Sequence, residues 1–280
     1  MGLWQNKFTK IKKVKHQGGS LAGSGLGGGA GIWLATHYNL TLAGIVLCMV
    51  SVLFALTMFL IKDIPFKKQK SIILEIKGMG INIFSMIKLP VALFVMILIL
   101  MPIGTGAMSN LWSAVAQDWK ADADTVALVT GILSGIVSDV GCIAGGFISD
   151  RWGIWNAYLG IGVICALVTV LMAFMPYTPP AYISGVLVYG FCMGLMYAAY
   201  TAVLLFVIGK SHSATKFSLM SSLGNMPVVY MTTFNGWAHD KYGSKFMLSA
   251  EAFIGIIFIV IFYLILLRMK KKNMIPLIVD

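Results

Sequence analysis

Apolar residues run along this chain in near-continuous blocks of about twenty, the length that carries a helix across a bilayer. Eight such blocks can be read, at roughly 18–36, 40–61, 89–112, 124–148, 155–175, 181–208, 217–237 and 246–267. The pattern predicts an all-α membrane protein with about eight transmembrane helices, since lipid offers no partner to an unpaired backbone group. A barrel is not expected, because barrel strands alternate over about ten residues and these runs do not.

Between the second and third blocks lies a polar connection, residues 62–88. In it Ile72, Ile73, Ile76, Met79, Ile83 and Ile87 recur at helical spacing, with Lys70, Glu75, Lys77 and Lys88 elsewhere. That spacing fits an amphipathic helix lying on the membrane face; an irregular charged linker is the alternative. Either way the chain divides into a tail (1–17), two spans (18–61), the linker (62–88), six spans on tight connections (89–267) and a second tail (268–280).

Composition agrees with a membrane: 59% of residues are hydrophobic, 11% are charged and the mean hydropathy is +0.88. The net charge of +11 is unevenly spread. Eight spans put both termini and alternate connections on one side, and that side collects Lys7, Lys10, Lys12, Lys13 and Lys15, six lysines of 62–88, Arg151, Lys210, Lys216, Arg268 and Lys270–Lys272. The other side holds Lys120, Lys241 and Lys245, with Asp118, Asp122 and Asp124 close by. This is the positive-inside asymmetry, so both termini are expected to be cytoplasmic in a cell inner (plasma) membrane. The basic surplus is thereby accounted for without nucleic acid. Trp112, Trp119, Trp152, Tyr177, Tyr182, Trp237 and Tyr242 fall at the expected span edges and fit interfacial belts. Cys48, Cys142, Cys165 and Cys192 sit inside spans without C-x-x-C spacing and read as small buried residues, not as disulfides or metal ligands.

The first block opens on GGSLAGSGLGGGAG, residues 18–31. Gly23, Gly25 and Gly28 satisfy G-x-G-x-x-G, but a basic tail precedes them where a dinucleotide-binding loop needs a strand. Gly19, Gly23, Gly27 and Gly31 recur every four residues, and on a helix they form the small-residue face that lets two membrane helices touch backbones.

A repeat runs through the later blocks. GFISDRWG at 146–153 and GWAHDKYG at 236–243 share G-x-x-x-D-[RK]-aromatic-G, and IWLATHYN at 32–39 is a degenerate third copy. Each bridges a pair of spans, as duplicated three-helix units would, and many secondary transporters are built so. The residues Gly146, Asp150, Arg151 and Gly153, echoed by Gly236, Asp240, Lys241 and Gly243, resemble the signature loop of the major facilitator superfamily. The usual basic pair after that loop is replaced by Ile154 and Trp155. The resemblance implies that 18–61 are the family's fifth and sixth helices and that 89–267 are its complete six-helix C-terminal half, with the first four helices to be sought upstream. It also implies a secondary transporter, symporter or antiporter, that moves a small solute by alternating access. Gly146 would then allow close helix approach, Asp150 and Arg151 would pair or cap helix ends, and Gly153 would supply a left-handed turn.

Ionisable residues inside spans are functional candidates. Asp139 lies mid-span on the face of Gly146 and Asp150, and reads either as a proton-coupling or solute-contacting carboxylate or as a structurally paired acid. Glu251, early in the last span, either serves the same chemistry or snorkels to the outer interface. Asn225, Pro227 and Tyr230 combine polar groups with a helix kink that would free carbonyls toward a solute cavity, and Pro102 with Gly104 and Gly106 breaks the third span in the same way. No cofactor or metal is called for. The expected partners are the bilayer, a small-molecule solute, protons or sodium as coupling ion, and a missing N-terminal half. A membrane enzyme would need a catalytic constellation, and no H-E-x-x-H, nucleophile elbow or acid pair occurs; a non-transporting fragment or assembly partner is the other rival.

Overall fold

The computed structural model describes residues 30–31, 33–56, 90–208 and 213–271. The segment 62–88, residues 1–17 and Gly19, Gly23 and Gly27 lie outside the described residues. Among the described residues the regular elements are all helical. They are α1 (Leu40–Leu56), α2 (Pro90–Ile99), α3 (Ala123–Trp152), α4 (Ile154–Ala173), α5 (Pro179–Ile208) and α6 (Ser213–Lys271). Three short turns of helix, Ala107–Asn110, Trp112–Val115 and Ala116–Trp119, stand between α2 and α3. By length and composition α3, α4, α5 and residues 216–269 of α6 can each cross a bilayer, and a bend at Gly243 divides the last into two arms.

α3 and α6 extend further, and the connections at Gly153 and Gly243 are tighter, than the apolar blocks suggest. Residues 238–245, expected as a loop, stay helical up to Gly243. The two motif glycines explain how. Gly153 has φ 76° and ψ 154°, and Gly243 has φ 80° and ψ 173°. These are not the left-handed helical values expected, but a region open essentially only to glycine. One residue at each site therefore reverses the chain, and α4 starts at once, with the Ala157 N–H donating to the Gly153 carbonyl at 2.9 Å. In the third copy Asn39 does this work differently: its Oδ1 accepts from the Leu42 N–H at 2.7 Å and caps α1.

α5 is the central post, packed against α2, α3, α4 and α6. Its tightest contact is with α3, through Ser138, Gly141, Gly145 and Ser149 on one side and Gly190, Gly194 and Ala198 on the other. A Cβ on Gly145 would lie 2.6 Å from the Leu195 carbonyl oxygen, and one on Gly194 would run into the Ser138 carbonyl. Ser138 Oγ also donates to the Gly190 carbonyl at 2.8 Å. This is the small-residue helix contact expected of the glycine run at 18–31, formed by another helix pair. Of that run, Gly31 is described, and a Cβ there would lie 3.0 Å from Leu47 of α1.

The interior has two layers. One, around Phe94, Tyr158, Met220 and Phe262, includes the stacked rings of Phe94 and Phe262 with centroids 5.0 Å apart. The other gathers Trp112, Trp119, Tyr182 and Tyr189 with Met247. Trp112, Trp119 and Tyr182 are thus 2%, 0% and 0% exposed, which corrects their reading as interfacial anchors. Tyr182 O–H, from α5, donates to the Trp112 carbonyl at 3.0 Å, and the helical turns after α2 fold the two tryptophans inward. Trp152, Tyr177, Trp237 and Tyr242 keep exposed faces. Cys142, Cys165 and Cys192 are buried, whereas Cys48 is exposed on α1.

Candidate functional site

The expected break in the third span is present and wider than a kink. α2 ends at Ile99, and the chain stays irregular through Gly106. Pro102 has no N–H to give, and Gly104 and Gly106 take φ of 57° and 73°. Inside a membrane the carbonyls so released need donors, and the first arm of α6 supplies them. Tyr230 O–H donates to the Leu100 carbonyl at 2.8 Å, and Thr232 Oγ1 faces the Ala107 carbonyl at 3.5 Å. Asn110 Nδ2 in turn donates to Thr232 Oγ1 at 3.2 Å. Tyr230, a candidate solute contact from the sequence, thus has a backbone partner here.

The break walls a cavity of about 460 Å³. Gly104, Thr105 and Gly106 of the break line it together with Tyr158, Tyr197 and Tyr200 of α4 and α5 and Ser221, Asn225 and Pro227 of α6. Asn225 was expected from the sequence; the three tyrosines were not, although hydroxyl-bearing rings inside apolar runs were a visible signal. Tyr200 O–H donates to the Met220 carbonyl at 3.4 Å. Among the described residues no Asp, Glu, Lys or Arg lines the cavity; its polar groups are hydroxyls and an amide, set among tyrosine rings and the apolar side chains of Ile99, Met101, Ile103, Met193, Met196 and Val228.

Asp139 lies outside that lining. It is partly buried, and its Oδ1 is buried with no hydrogen-bond partner. The face it shares with Gly146 and Asp150 is not the closely packed one. The close approach to α5 falls on Gly145, one residue before Gly146, while Asp150 and Arg151 are exposed. Gly236 meets open space, Asp240 Oδ1 is 3.5 Å from His239 Nδ1, and Lys241 Nζ sits 5.5 Å from the centre of the Trp237 ring.

Glu251 does not snorkel. Its Oε2 accepts from Asn235 Nδ2 at 2.8 Å and its Oε1 from Tyr189 O–H at 3.4 Å. Asn235 and Tyr189 are 0% and 2% exposed. Asn235 is a polar residue amid an apolar run, the signal that marks it in retrospect. At the same end of the bundle Asp118 ties the broken segment to α6: Asp118 Oδ2 is 2.8 Å from His239 Nε2 and also accepts from Ser244 Oγ. Asp122 caps α3 there. Its carboxylate accepts from Thr125 Oγ1 at 2.6 Å and Thr125 N–H at 3.2 Å, and these bonds hold its pKa below the usual 3.8. His37 Nε2 lies 3.5 Å from Asp124 Oδ1, which places the turn before α1 at that end as well.

Comparison with known proteins agrees with the helical architecture. The chain is 28% identical over 165 residues to the "Anhydromuropeptide permease" of Escherichia coli strain K12, and equally to that of strain O157:H7. The match covers 57% of this chain and 34% of each relative, so the chain spans about a third of the length of the curated relatives it matches. The Major Facilitator Superfamily matches residues 16–231. With apolar helices long enough to cross a bilayer and a family match over most of its length, the chain is a multi-pass membrane protein belonging to the Major Facilitator Superfamily.

Proposed function

We propose that this chain forms the solute-contacting C-terminal part of a secondary transporter that moves a small polar solute by alternating access. The carrying observation is the cavity of about 460 Å³ between the broken segment and α6, lined by hydroxyls, an amide, tyrosine rings and apolar side chains, with no formal charge among the described residues. Such a lining holds an uncharged, hydrogen-bonding part of a solute between polar edges and ring faces. The relatives' name specifies an anhydromuropeptide, and a solute of that kind is the first to test. Eight spans, cytoplasmic ends and an inner-membrane location remain the reading of the lysine distribution. Protons or sodium remain the candidate coupling ions, and Asp139 a candidate coupling carboxylate. The other wall of the pathway would come from a six-helix N-terminal half, in which 18–61 supply the last two helices. Residues 62–88 would link the halves on the cytoplasmic side.

The experiment is uptake into proteoliposomes holding either this chain or a full-length relative. The reading expects saturable uptake by the full-length protein and none by the 280-residue chain alone. In the full-length protein, Tyr197→Phe and Asn225→Ala each remove one hydrogen bond worth about 1 kcal/mol, and so raise KM about fivefold. Unchanged KM in both variants would place the solute elsewhere.

A further inference from the structure

We propose that Glu251 is a proton-binding site held by neutral partners and set directly behind the solute cavity. The proposal rests on the transporter reading for its consequence, and on the side-chain geometry for its existence.

The carboxylate joins three helical segments: its own arm of α6, the other arm through Asn235, and α5 through Tyr189. Around it the break after α2 presents Pro102, Gly104 and Thr105, while α4 presents Cys165 and Thr169. The titratable groups facing it are therefore Tyr189 and Cys165. Among the described residues no Lys, Arg or His nitrogen lies within 4.0 Å of it, and His239, one turn beyond Asn235, is engaged by Asp118 and Asp240. A carboxylate paired with a fixed cation is committed to its ionised form. One held by an amide and a phenol is not, because both partners donate and accept.

Asn235 carries the argument furthest. Its Nδ2 donates to Glu251, yet its Oδ1 is buried with no partner. An unpaired buried oxygen is costly. When Glu251 takes up a proton, half a turn of the amide brings Oδ1 round to accept from the new O–H, and the Tyr189 hydroxyl can reverse likewise. Both protonation states are then hydrogen-bonded. The step is a proton passing from water to Oε2, which changes the site from −1 to neutral, and back again; no other reactant is involved.

The site also adjoins the solute cavity. A void of about 20 Å³ adjoins Glu251, room for a single water. Gly104, Thr105 and Met193 line both that void and the solute cavity. The broken segment is the shared wall, so the occupancy of one compartment is felt by the other.

The test is infrared difference spectroscopy on the purified full-length protein as pH is stepped, followed by proteoliposome transport. The unmodified protein should show a protonated-carboxyl band that titrates and is missing from Glu251→Gln. Asn235→Leu and Tyr189→Phe keep the carboxyl and should move the midpoint, each by about tenfold in proton affinity. Asp122→Asn, at the exposed cap of α3, should leave the band in place. In proteoliposomes Glu251→Gln should lose accumulation driven by a proton gradient while keeping solute exchange. A band that survives Glu251→Gln, or that vanishes with Asp139→Asn instead, overturns the assignment. Should Glu251→Gln not fold, unmoved midpoints in both Asn235→Leu and Tyr189→Phe do the same. A band that behaves as expected in protein that moves no solute keeps the proton site and removes the transporter reading.

Discussion

Replacing Gly145 by alanine tests what holds α3 to α5. The added Cβ would lie 2.6 Å from the Leu195 carbonyl oxygen, 2.8 Å from the Leu195 Cα and 3.0 Å from the Ala198 Cβ. Carbon atoms in good contact sit about 3.5–4.0 Å apart, so the helices must part by about 0.7 Å. The atoms in the way are mostly backbone, and no rotamer can step aside. An opening of that size removes about a third of the attraction between facing atoms. For about 50 atom pairs at about 0.15 kcal/mol each, the loss is about 2.5 kcal/mol. The Ser138–Gly190 hydrogen bond next to it contributes only about 0.6 kcal/mol on membrane-protein scales, so packing decides the outcome. Alanine returns about 0.8 kcal/mol through its better helix propensity. The net expectation is a destabilisation of about 1.7 kcal/mol, read from unfolding by denaturing detergent in mixed micelles. Gly236→Ala is the control, because a Cβ there meets nothing within 4 Å, and it should stabilise by up to about 0.8 kcal/mol. If both variants shift stability the same way, close backbone packing is not what binds α3 to α5.

Three other expectations are equally direct. Tyr230→Phe removes the donor to the Leu100 carbonyl, and amide exchange at Ile103 and Gly104 should quicken by a few fold, a hydrogen bond of about 0.6 kcal/mol being lost; unchanged exchange would show the break to be held otherwise. Asp122 has a lowered pKa, so its capping contribution is complete above the ordinary carboxylate value and fades as pH falls through the lowered one. Protection of the Thr125 and Val126 amides, taken relative to the intrinsic exchange rate at each pH, should therefore fall in acid, and Asp122→Asn, which keeps the cap without the charge, should flatten that fall. Single cysteines placed at 118–124 should react with an impermeant reagent from outside the cell, and those at 62–88 and 268–273 only after permeabilisation; labelling of 62–88 in intact cells would refute the topology.

Local chemistry was readable in the sequence wherever a single residue forces the backbone. Gly153 and Gly243 marked two reversals, and Pro102 with Gly104 and Gly106 marked the break, because proline and glycine act without help from distant neighbours. Side-chain partners were not readable. Glu251 looked able to reach the interface, but its partners stand 16 and 62 residues away, and nothing near it in the chain announces them. Trp112 and Trp119 were misread as interfacial anchors for a related reason: the turns after α2 send them inward, and hydropathy cannot see a fold-back. On α3 the close approach to α5 falls on Gly145, one residue before the motif's Gly146, which on a helix is a rotation of about 100°. The chemically useful side of a membrane helix is set by its neighbours, so an apolar block without marked amphipathicity conceals it.

The matching turns at Gly153 and Gly243 carry a consequence for handedness. Between them lie α4, α5 and the first arm of α6, an odd number of crossings, so the two copies of the motif point in opposite directions. An instruction that works equally well pointing either way is blind to orientation. A three-helix unit ended by such a turn has no intrinsic top or bottom. Which way it faces is then left to features outside the turn, and flanking lysines, which favour the cytoplasmic side, are one such feature.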